Sequence, residues 1–179
     1  EKLFLLNRKE KLGLGPAYIA GFQWALEKNY DVIFEMDADF SHDPKEILNM
    51  IKILNDGFDL VIGSRYKEGI NVLNWPLGRI LLSYIASLYV RLITGMPIRD
   101  PTSGFVAYKS IILKKISLDN IKFQGYAFQI EMKYKSWING FNLIEHSIVF
   151  KNRVKGESKM NINIFWEAIF GVIKMRLFK

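Results

Sequence analysis

Cysteine is absent from the 179 residues, so no disulfide framework exists and the redox compartment leaves no trace in the composition. Proline is scarce, at five residues, and no Pro-rich or Gly/Ser-rich linker, internal repeat or low-complexity tract divides the chain. No apolar run reads as the ~18 residues or more expected of a spanning helix, and the first residues do not read as a secretory signal peptide. Nucleic-acid motifs of recognisable spacing are also missing. What is present is a hydrophobic content of 50%, enough for one domain with a real core, and no boundary before roughly Val149. The formal charge is +7 and the pI about 9.5. Such a balance fits nucleic acid, anionic lipid or phosphorylated substrates. Here Lys and Arg punctuate apolar helices, with aromatics among them as in Ile164-Phe165-Trp166-Glu167-Ala168-Ile169-Phe170. That pattern favours a membrane surface over a nucleic-acid groove.

Apolar strands alternating with helical segments predict an α/β fold with a mainly parallel sheet flanked by helices. Strands are expected at 3–7, 31–36, 58–63, 104–109 and 142–150. Helices are expected at 16–28, from Pro44 to about Asn55 with Asp43 as cap, and at 77–94, 110–115, 126–138 and 162–177. The helix over 77–94 is apolar around most of its circumference, interrupted by Arg79, Ser83 and Arg91.

The most informative stretch is Asp31-Val-Ile-Phe-Glu-Met-Asp-Ala-Asp39, an apolar strand that ends abruptly in carboxylates. Ligands of open α/β sheets sit at the carboxyl ends of strands. Two carboxylates one residue apart can share Mg²⁺, with substrate phosphates completing the shell. A solvated turn after a strand has the same appearance. Gly13 and Gly15 precede a helix, where backbone N–H groups can approach an anion or simply turn the chain. Arg65 follows a strand end and suits bidentate phosphate binding. Arg79 and Ser83, four apart, share a helix face, as a phosphate site or as a snorkelling surface arginine. Asp100, in a polar loop, could bind sugar hydroxyls. Gln129 and Glu131 are two apart on a helix and point different ways, so at most one faces a site. His42 reads as a loop residue rather than a ligand. The basic stretch 151–159 reads as a solvated loop or as a lid over diphosphate, with Arg153 or Lys159 supplying charge.

Together, Gly13-Leu-Gly15-Pro-Ala-Tyr-Ile-Ala-Gly21, Asp37-Ala-Asp39-Phe-Ser41-His42-Asp43-Pro44, Gly63-Ser64-Arg65-Tyr66, Asn74-Trp75-Pro76, Arg99-Asp100-Pro101-Thr102-Ser103-Gly104-Phe105, Gly125-Tyr126-Ala127-Phe128-Gln129-Ile130-Glu131-Met132 and Gly156-Glu157-Ser158-Lys159 resemble the polyprenyl-phosphate (dolichol-phosphate) mannose synthases. Those enzymes belong to glycosyltransferase family 2 and have a GT-A fold. The resemblance implies metal-dependent, inverting transfer of mannose from GDP-mannose to a polyprenyl or dolichyl phosphate at the cytoplasmic face of a membrane, by a peripheral protein that binds no nucleic acid. Asp37, Asp39 and Ser41 would hold Mg²⁺ or Mn²⁺, although some relatives carry Gln where Ser41 stands. Gly13, Gly15, Asp37, Asp39, Asp100, Gln129, Arg153 and Lys159 would contact the donor. Arg65, Arg79 and Ser83 would hold the acceptor phosphate, and Asp39, Arg65 and Arg79 would carry the catalysis. Many family 2 enzymes place a Glu-Asp pair, with an Asp base for a hydroxyl acceptor, where this chain has Phe128-Gln129. A phosphate acceptor is already ionised and needs no base. The implied organisation is a transferase domain over 1–150, a lid loop over 151–159 and an amphipathic interface helix over 160–179. Nothing matches the βαβ unit that opens family 2 domains and carries much of the nucleotide pocket. The chain is therefore expected to be a piece lacking those N-terminal strand-loop units, or a departure from the family, with negligible GDP-mannose affinity by itself. Transfer of glucose from UDP-glucose and a non-catalytic membrane-associated subunit are the alternatives.

Overall fold

The computed structural model describes residues 3–152 and 162–177, with side chains described over 3–152 and 169–177. Helix α1 (Leu14–Glu27) leads to strand β1 (Val32–Glu35), then helix α2 (Glu46–Asn55) and strand β2 (Leu60–Ser64). Asp43 accepts the Lys45 N–H at 3.0 Å in the turn before α2, whose N-cap is Lys45 with no side-chain cap, so the helix starts two residues later than the expected Pro44. A two-residue strand β3 (Val72–Leu73) precedes the long helix α3 (Leu77–Thr94), which Gly95 ends in the left-handed conformation, φ 75°. Strand β4 (Val106–Lys109), helix α4 (Ser110–Lys115), a 3-10 turn at Leu118–Asn120, helix α5 (Ala127–Ile138), strands β5 (Leu143–Ser147) and β6 (Phe150–Lys151), and helix α6 (Ile162–Leu177) complete the order.

The main sheet runs β1-β4-β2-β5. Strand β4 is antiparallel to both neighbours, and β5 is parallel to β2. Three of the four strands therefore share one direction, but only β2 and β5 pair in parallel, so the sheet is mixed where a mainly parallel one is expected from the sequence. Strand β2 is buried on both faces, which explains its unbroken apolar sequence. Leu60 and Ile62 face Phe22, Tyr108, Phe128 and Met132, a core built with α1 and α5. Val61 faces Met50, Leu54, Phe105 and Ala107 on the α2 side. A second sheet, β3 with β6 in parallel, ties the start of α3 to the end of the main sheet.

This topology brings four loops to one sheet edge. Strands β1, β2 and β5 all end there, and β4 begins there. Residues 36–43, 65–71, 99–105 and 148–152 consequently meet. Ser103 Oγ donates to Gly63 O at 2.6 Å, Ile148 N to Ser64 O at 3.0 Å, and Lys151 N to Ser41 O at 3.1 Å.

Two expectations change. Residues 3–7 form no strand, and Leu3 and Leu5 are 97% and 85% exposed. Strand β1 is an edge of the main sheet, and residues 3–7 do not pair with it. Helix α3, in contrast, is long and apolar enough to cross a membrane by length and composition, with 18 residues, a mean hydropathy of 1.3 and only 17% of it buried. Arg79 and Arg91 interrupt the apolar run in sequence but do not break the helix. Helix α6 buries Val172 and Met175 against the domain and exposes Phe170, Ile173 and Leu177 beside Lys174 and Arg176.

Candidate active site

The loop after β1 folds back on itself. Phe40 takes a left-handed backbone, φ 64°, uncommon outside glycine, and the Ser41 N–H then reaches Asp39 Oδ1 at 3.1 Å. His42 turns inward, 4% exposed, with its ring 5.0 Å from that of Phe105 and 5.1 Å from that of Phe150. Burial pushes the imidazole down to about 4, so the ring is neutral and Nδ1 can accept the Asp37 N–H at 3.4 Å. The Tyr18 hydroxyl of α1 donates to Asp37. Burial, reinforced by Glu35 and Asp37, raises that phenol and keeps its proton in place. His42 is thus a brace for the loop, and Tyr18 is a site residue that its helical position alone did not reveal.

Ser41 Oγ is buried and has no hydrogen-bond partner among the described residues. An orphaned buried hydroxyl costs about 1–3 kcal/mol. Its position two residues after Asp39 makes it available to a hard cation, which prefers oxygen donors. Among the described residues no group of three or more His, Asp and Glu side chains is placed to hold a metal. Two carboxylates and a hydroxyl, leaving the remaining coordination to substrate phosphate, fit Mg²⁺ or Mn²⁺ in that setting.

Beneath the loop lies a buried polar network. Glu35, 1% exposed, accepts from the Tyr108 hydroxyl at 2.9 Å and from Gln129 Nε2 at 3.2 Å. Lys133 Nζ donates to Ser103 O at 2.7 Å, Gln129 O at 3.0 Å and Gln129 Oε1 at 3.2 Å. Burial raises the Glu35 carboxyl to about 7, against the pull of Lys133, Tyr108 and Gln129. Burial lowers Lys133 to about 8. The family resemblance makes Gln129 a donor ligand, but both ends of its amide are used here and it is 2% exposed. Glu131 points away, accepting the N–H groups of Lys122 and Phe123. Lys133→Met removes the cation that faces Glu35, and a broken buried pair costs about 3–5 kcal/mol. With Lys133 gone, the Glu35 carboxyl rises further. Native protein then holds that proton more tightly than unfolded chain, so stability falls as pH climbs through the raised value. Urea unfolding of Lys133→Met should show a larger loss at pH 9 than at pH 6, and Glu35→Gln added to it should remove the pH dependence.

Asp100 was also an expected sugar ligand. It is fully buried, and Arg65 occupies it: Nε to Oδ2 at 2.7 Å, Nη2 to Oδ1 at 2.6 Å and the Arg65 backbone N–H to Oδ2 at 3.0 Å. Burial alone would raise this carboxyl, but Arg65 holds it below the usual range. Arg65 Nη2 also reaches Thr102 Oγ1 at 2.8 Å. The pair is a bidentate fork that fixes the guanidinium at the site edge, its side chain 11% exposed.

The three residues expected at a phosphate are gathered by aromatics. The guanidinium carbon of Arg79 lies 3.9 Å from the Trp75 ring centroid, and that of Arg65 lies 5.6 Å from it. Tyr66, next to Arg65, donates its hydroxyl to Ser83 Oγ at 2.7 Å. Arg79 Nη1 donates to Asn152 Oδ1 at 3.0 Å, just after β6. Trp75 Nε1 is buried without a partner among the described residues. Arg65 also bears electrostatically on His42, and Asp37 on Arg65, so this cluster adjoins the Asp37–Asp39 loop.

The glycines do something other than the spacing implied. Gly15 N donates to Gln124 O at 2.8 Å, and a Cβ there would lie 2.6 Å from Phe123 O. Gly13 has φ 105° and a Cβ there would lie 3.2 Å from Gln124 O. Both permit close approach of α1 to residues 123–124, and the Gly15 N–H is used in doing so. Arg153 and Lys159 of the expected lid lie outside the described residues.

The family profile described as Glycosyl transferase family 2 matches residues 1–117. Polyprenol monophosphomannose synthase of Mycolicibacterium smegmatis is 42% identical over 172 residues, covering 96% of this chain and 65% of that protein. Undecaprenyl-phosphate mannosyltransferase of Micrococcus luteus is 43% identical over 173 residues, covering 97% of this chain and 71% of that protein. The chain thus spans 65–71% of the length of these relatives. The crystal structure of glucosyl-3-phosphoglycerate synthase from Mycobacterium tuberculosis with Mn²⁺, uridine diphosphate and phosphoglyceric acid superposes with a TM-score of 0.61 at 15% identity, over 93% of this chain and 54% of that one. That likeness establishes a shared fold, that of a GT-A glycosyltransferase. With a profile match over most of the chain and two relatives above 40% identity, this chain belongs to glycosyl transferase family 2.

Proposed function

We propose that this protein transfers mannose from GDP-mannose to a polyprenyl or dolichyl phosphate, giving polyprenyl-phosphate mannose with inversion at the anomeric carbon. The carrying observation is the cluster of Arg65, Arg79 and Ser83, tied together through Trp75 and Tyr66 beside the Asp37–Asp39 loop. Two guanidinium groups and a hydroxyl suit a phosphate monoester. An acceptor phosphate oxygen attacks the anomeric carbon as the bond to the GDP β-phosphate breaks, and GDP leaves with the bonding pair. The nucleophile is already ionised, so no proton has to be removed. Two features support this reading: Gln129 is committed to Glu35 and Lys133, and Glu35 is buried behind Tyr108. A divalent cation held by Asp37, Asp39 and Ser41 would supply charge against the departing diphosphate. Arg65, fixed by Asp100, and Arg79, stacked on Trp75, would orient the acceptor and offset its charge as it nears the donor.

Helix α3 supports attachment to a membrane surface without crossing it. Leu77, Leu81, Ile85 and Leu92 are exposed, whereas Arg79, Ser83 and Tyr89 bond to Asn152, Tyr66 and the Ile169 carbonyl of the domain. A spanning helix would carry those polar contacts into hydrocarbon.

Arg79→Ala should raise the KM for polyprenyl phosphate about 10- to 100-fold, the worth of one charge-assisted hydrogen bond. The KM for GDP-mannose should change by less than about twofold. Steady-state kinetics with each substrate varied in turn checks this, and a raised donor KM with an unchanged acceptor KM reverses the assignment. UDP-glucose offered in place of GDP-mannose should give no glycolipid.

A further inference from the structure

Helix α3 carries a second polar site beyond the acceptor cluster. Arg79, Ser83, Ser87 and Arg91 follow one another at four-residue spacing, so they form a stripe that winds slowly around the helix. At its far end is a cleft of about 430 Å³ whose walls include Tyr66, Tyr84, Ser87, Leu88, Arg91 and Arg99. Ser87 is 1% exposed and its Oγ has no hydrogen-bond partner among the described residues; the same holds for the buried Arg91 Nε. Two residues that line one cleft thus each carry an orphaned buried donor, a cost to the fold unless something accepts from them. Arg99 adds a second cation, spending one nitrogen on Lys67 O at 2.7 Å. Among the described residues no carboxylate lines the cleft. A hydroxyl and two guanidinium groups with no acid among them describe a phosphate site.

It is separate from the acceptor cluster. Arg91 lies twelve residues beyond Arg79, about 18 Å along a helix axis. Tyr66 forms the partition, its hydroxyl on Ser83 and its ring in the cleft wall. Leu88, in the cleft wall, continues onto the exposed Ile85 and Leu92, 59% and 75% accessible. A phosphate bound at Ser87 and Arg91 thus has apolar surface beside it for hydrocarbon chains.

We propose that this cleft is a second phosphate-binding site and that its occupant is the phosphodiester headgroup of an anionic membrane lipid. Phosphate binding stands on the cleft itself, and the lipid source rests on the reading of α3 as a membrane-contacting helix. The headgroup would dock α3 at a set depth and orientation, with the Arg65–Arg79 cluster towards the lipid acceptor.

Two measurements test it. The Arg91 Nε–H resonance is followed by NMR as inorganic phosphate is added over the millimolar range, with Ser87→Ala and Arg91→Gln as controls. Binding to phosphatidylglycerol-containing vesicles and to pure phosphatidylcholine vesicles is then measured for wild type, Ser87→Ala, Arg91→Gln and Lys114→Gln. Lys114 is exposed on α4, at the opposite end of the sheet. The expected results are a saturable phosphate shift, lost in Arg91→Gln, and vesicle binding that requires phosphatidylglycerol. Arg91→Gln should weaken that binding about tenfold and Ser87→Ala about threefold, with Lys114→Gln within about twofold. Ser87→Ala removes no charge, so general attraction to an anionic surface cannot account for its effect. A phosphate shift with vesicle binding unchanged in Arg91→Gln and Ser87→Ala overturns the lipid occupant and leaves a free-phosphate site. The absence of any shift overturns the site. Wild type that binds neither vesicle removes the membrane reading, and the lipid assignment with it.

Discussion

Asp39→Asn should lower mannosyl transfer by about 10²–10³-fold or more, the usual scale for removing one electrostatic contact to a transition-state oxyanion. The fold should survive. Asp39 Oδ1 accepts the Ser41 N–H, and an asparagine oxygen can accept the same bond, so the turn through Phe40 keeps its brace. What the substitution removes is one unit of negative charge from a pair of carboxylates one residue apart. A divalent ion bound by the remaining carboxylate and Ser41 would be held more weakly and would take a different share of the diphosphate's charge. Transfer rate, thermal midpoint and response to chelator separate the possibilities. Wild type should lose activity in EDTA and recover it with Mg²⁺ or Mn²⁺. Full activity in Asp39→Asn, or wild type indifferent to chelator, would sink the metal assignment.

Asp100→Asn should destabilise the fold by about 3–5 kcal/mol. Asp100 is fully buried and takes three hydrogen bonds from Arg65. An amide there leaves the Arg65 guanidinium almost wholly buried without its counter-charge and turns a donor toward a donor. Replacing both partners together, as Arg65→Met with Asp100→Leu, should recover part of the stability, because the buried guanidinium is removed with its counter-charge while the backbone N–H of residue 65 still loses its acceptor. Activity should stay lost in that double variant, since Arg65 is assigned to the acceptor phosphate. Urea unfolding and transfer rate, measured on the same three proteins, distinguish a stabilising pair from a functional one. Recovered activity in the double variant would remove Arg65 from the site.

The sequence was most legible where local chemistry decides the outcome. The two-sided apolar run of β2, the Asp43-Pro44 entry to α2 and the carboxylates closing β1 can each be read within a few residues. Arg79 and Ser83 share a face because of helical spacing alone. Legibility ended where a polar side chain chooses a distant partner. Asp100 reads as a sugar ligand because it lies in a polar loop, and Gln129 as a donor contact because of the family resemblance. They turned inward because Arg65 and Lys133 reach them, across 35 residues in the first case and within one helix turn in the second. Nothing in residue order announces that Trp75 will stand between two arginines, or that Tyr18 will hold Asp37. The segment 3–7 has strand composition, but a strand exists only with a neighbour to pair with. The glycines at 13 and 15 illustrate the same limit: the positive φ of the first is a local property, whereas the approach of Phe123 and Gln124 that demands both is tertiary.

The central claim is that Arg65, Arg79 and Ser83 present a lipid phosphate to a sugar nucleotide held at the Asp37–Asp39 loop. The most direct measurement incubates the full-length protein with GDP-[¹⁴C]mannose, Mg²⁺ and either polyprenyl phosphate or the corresponding polyprenol, and counts label extracted into organic solvent. The account predicts labelled glycolipid from the phosphate, none from the alcohol, and a product in which mannose is attached through phosphate with inverted anomeric configuration. Equal transfer to the alcohol, or no transfer to the phosphate, would contradict it.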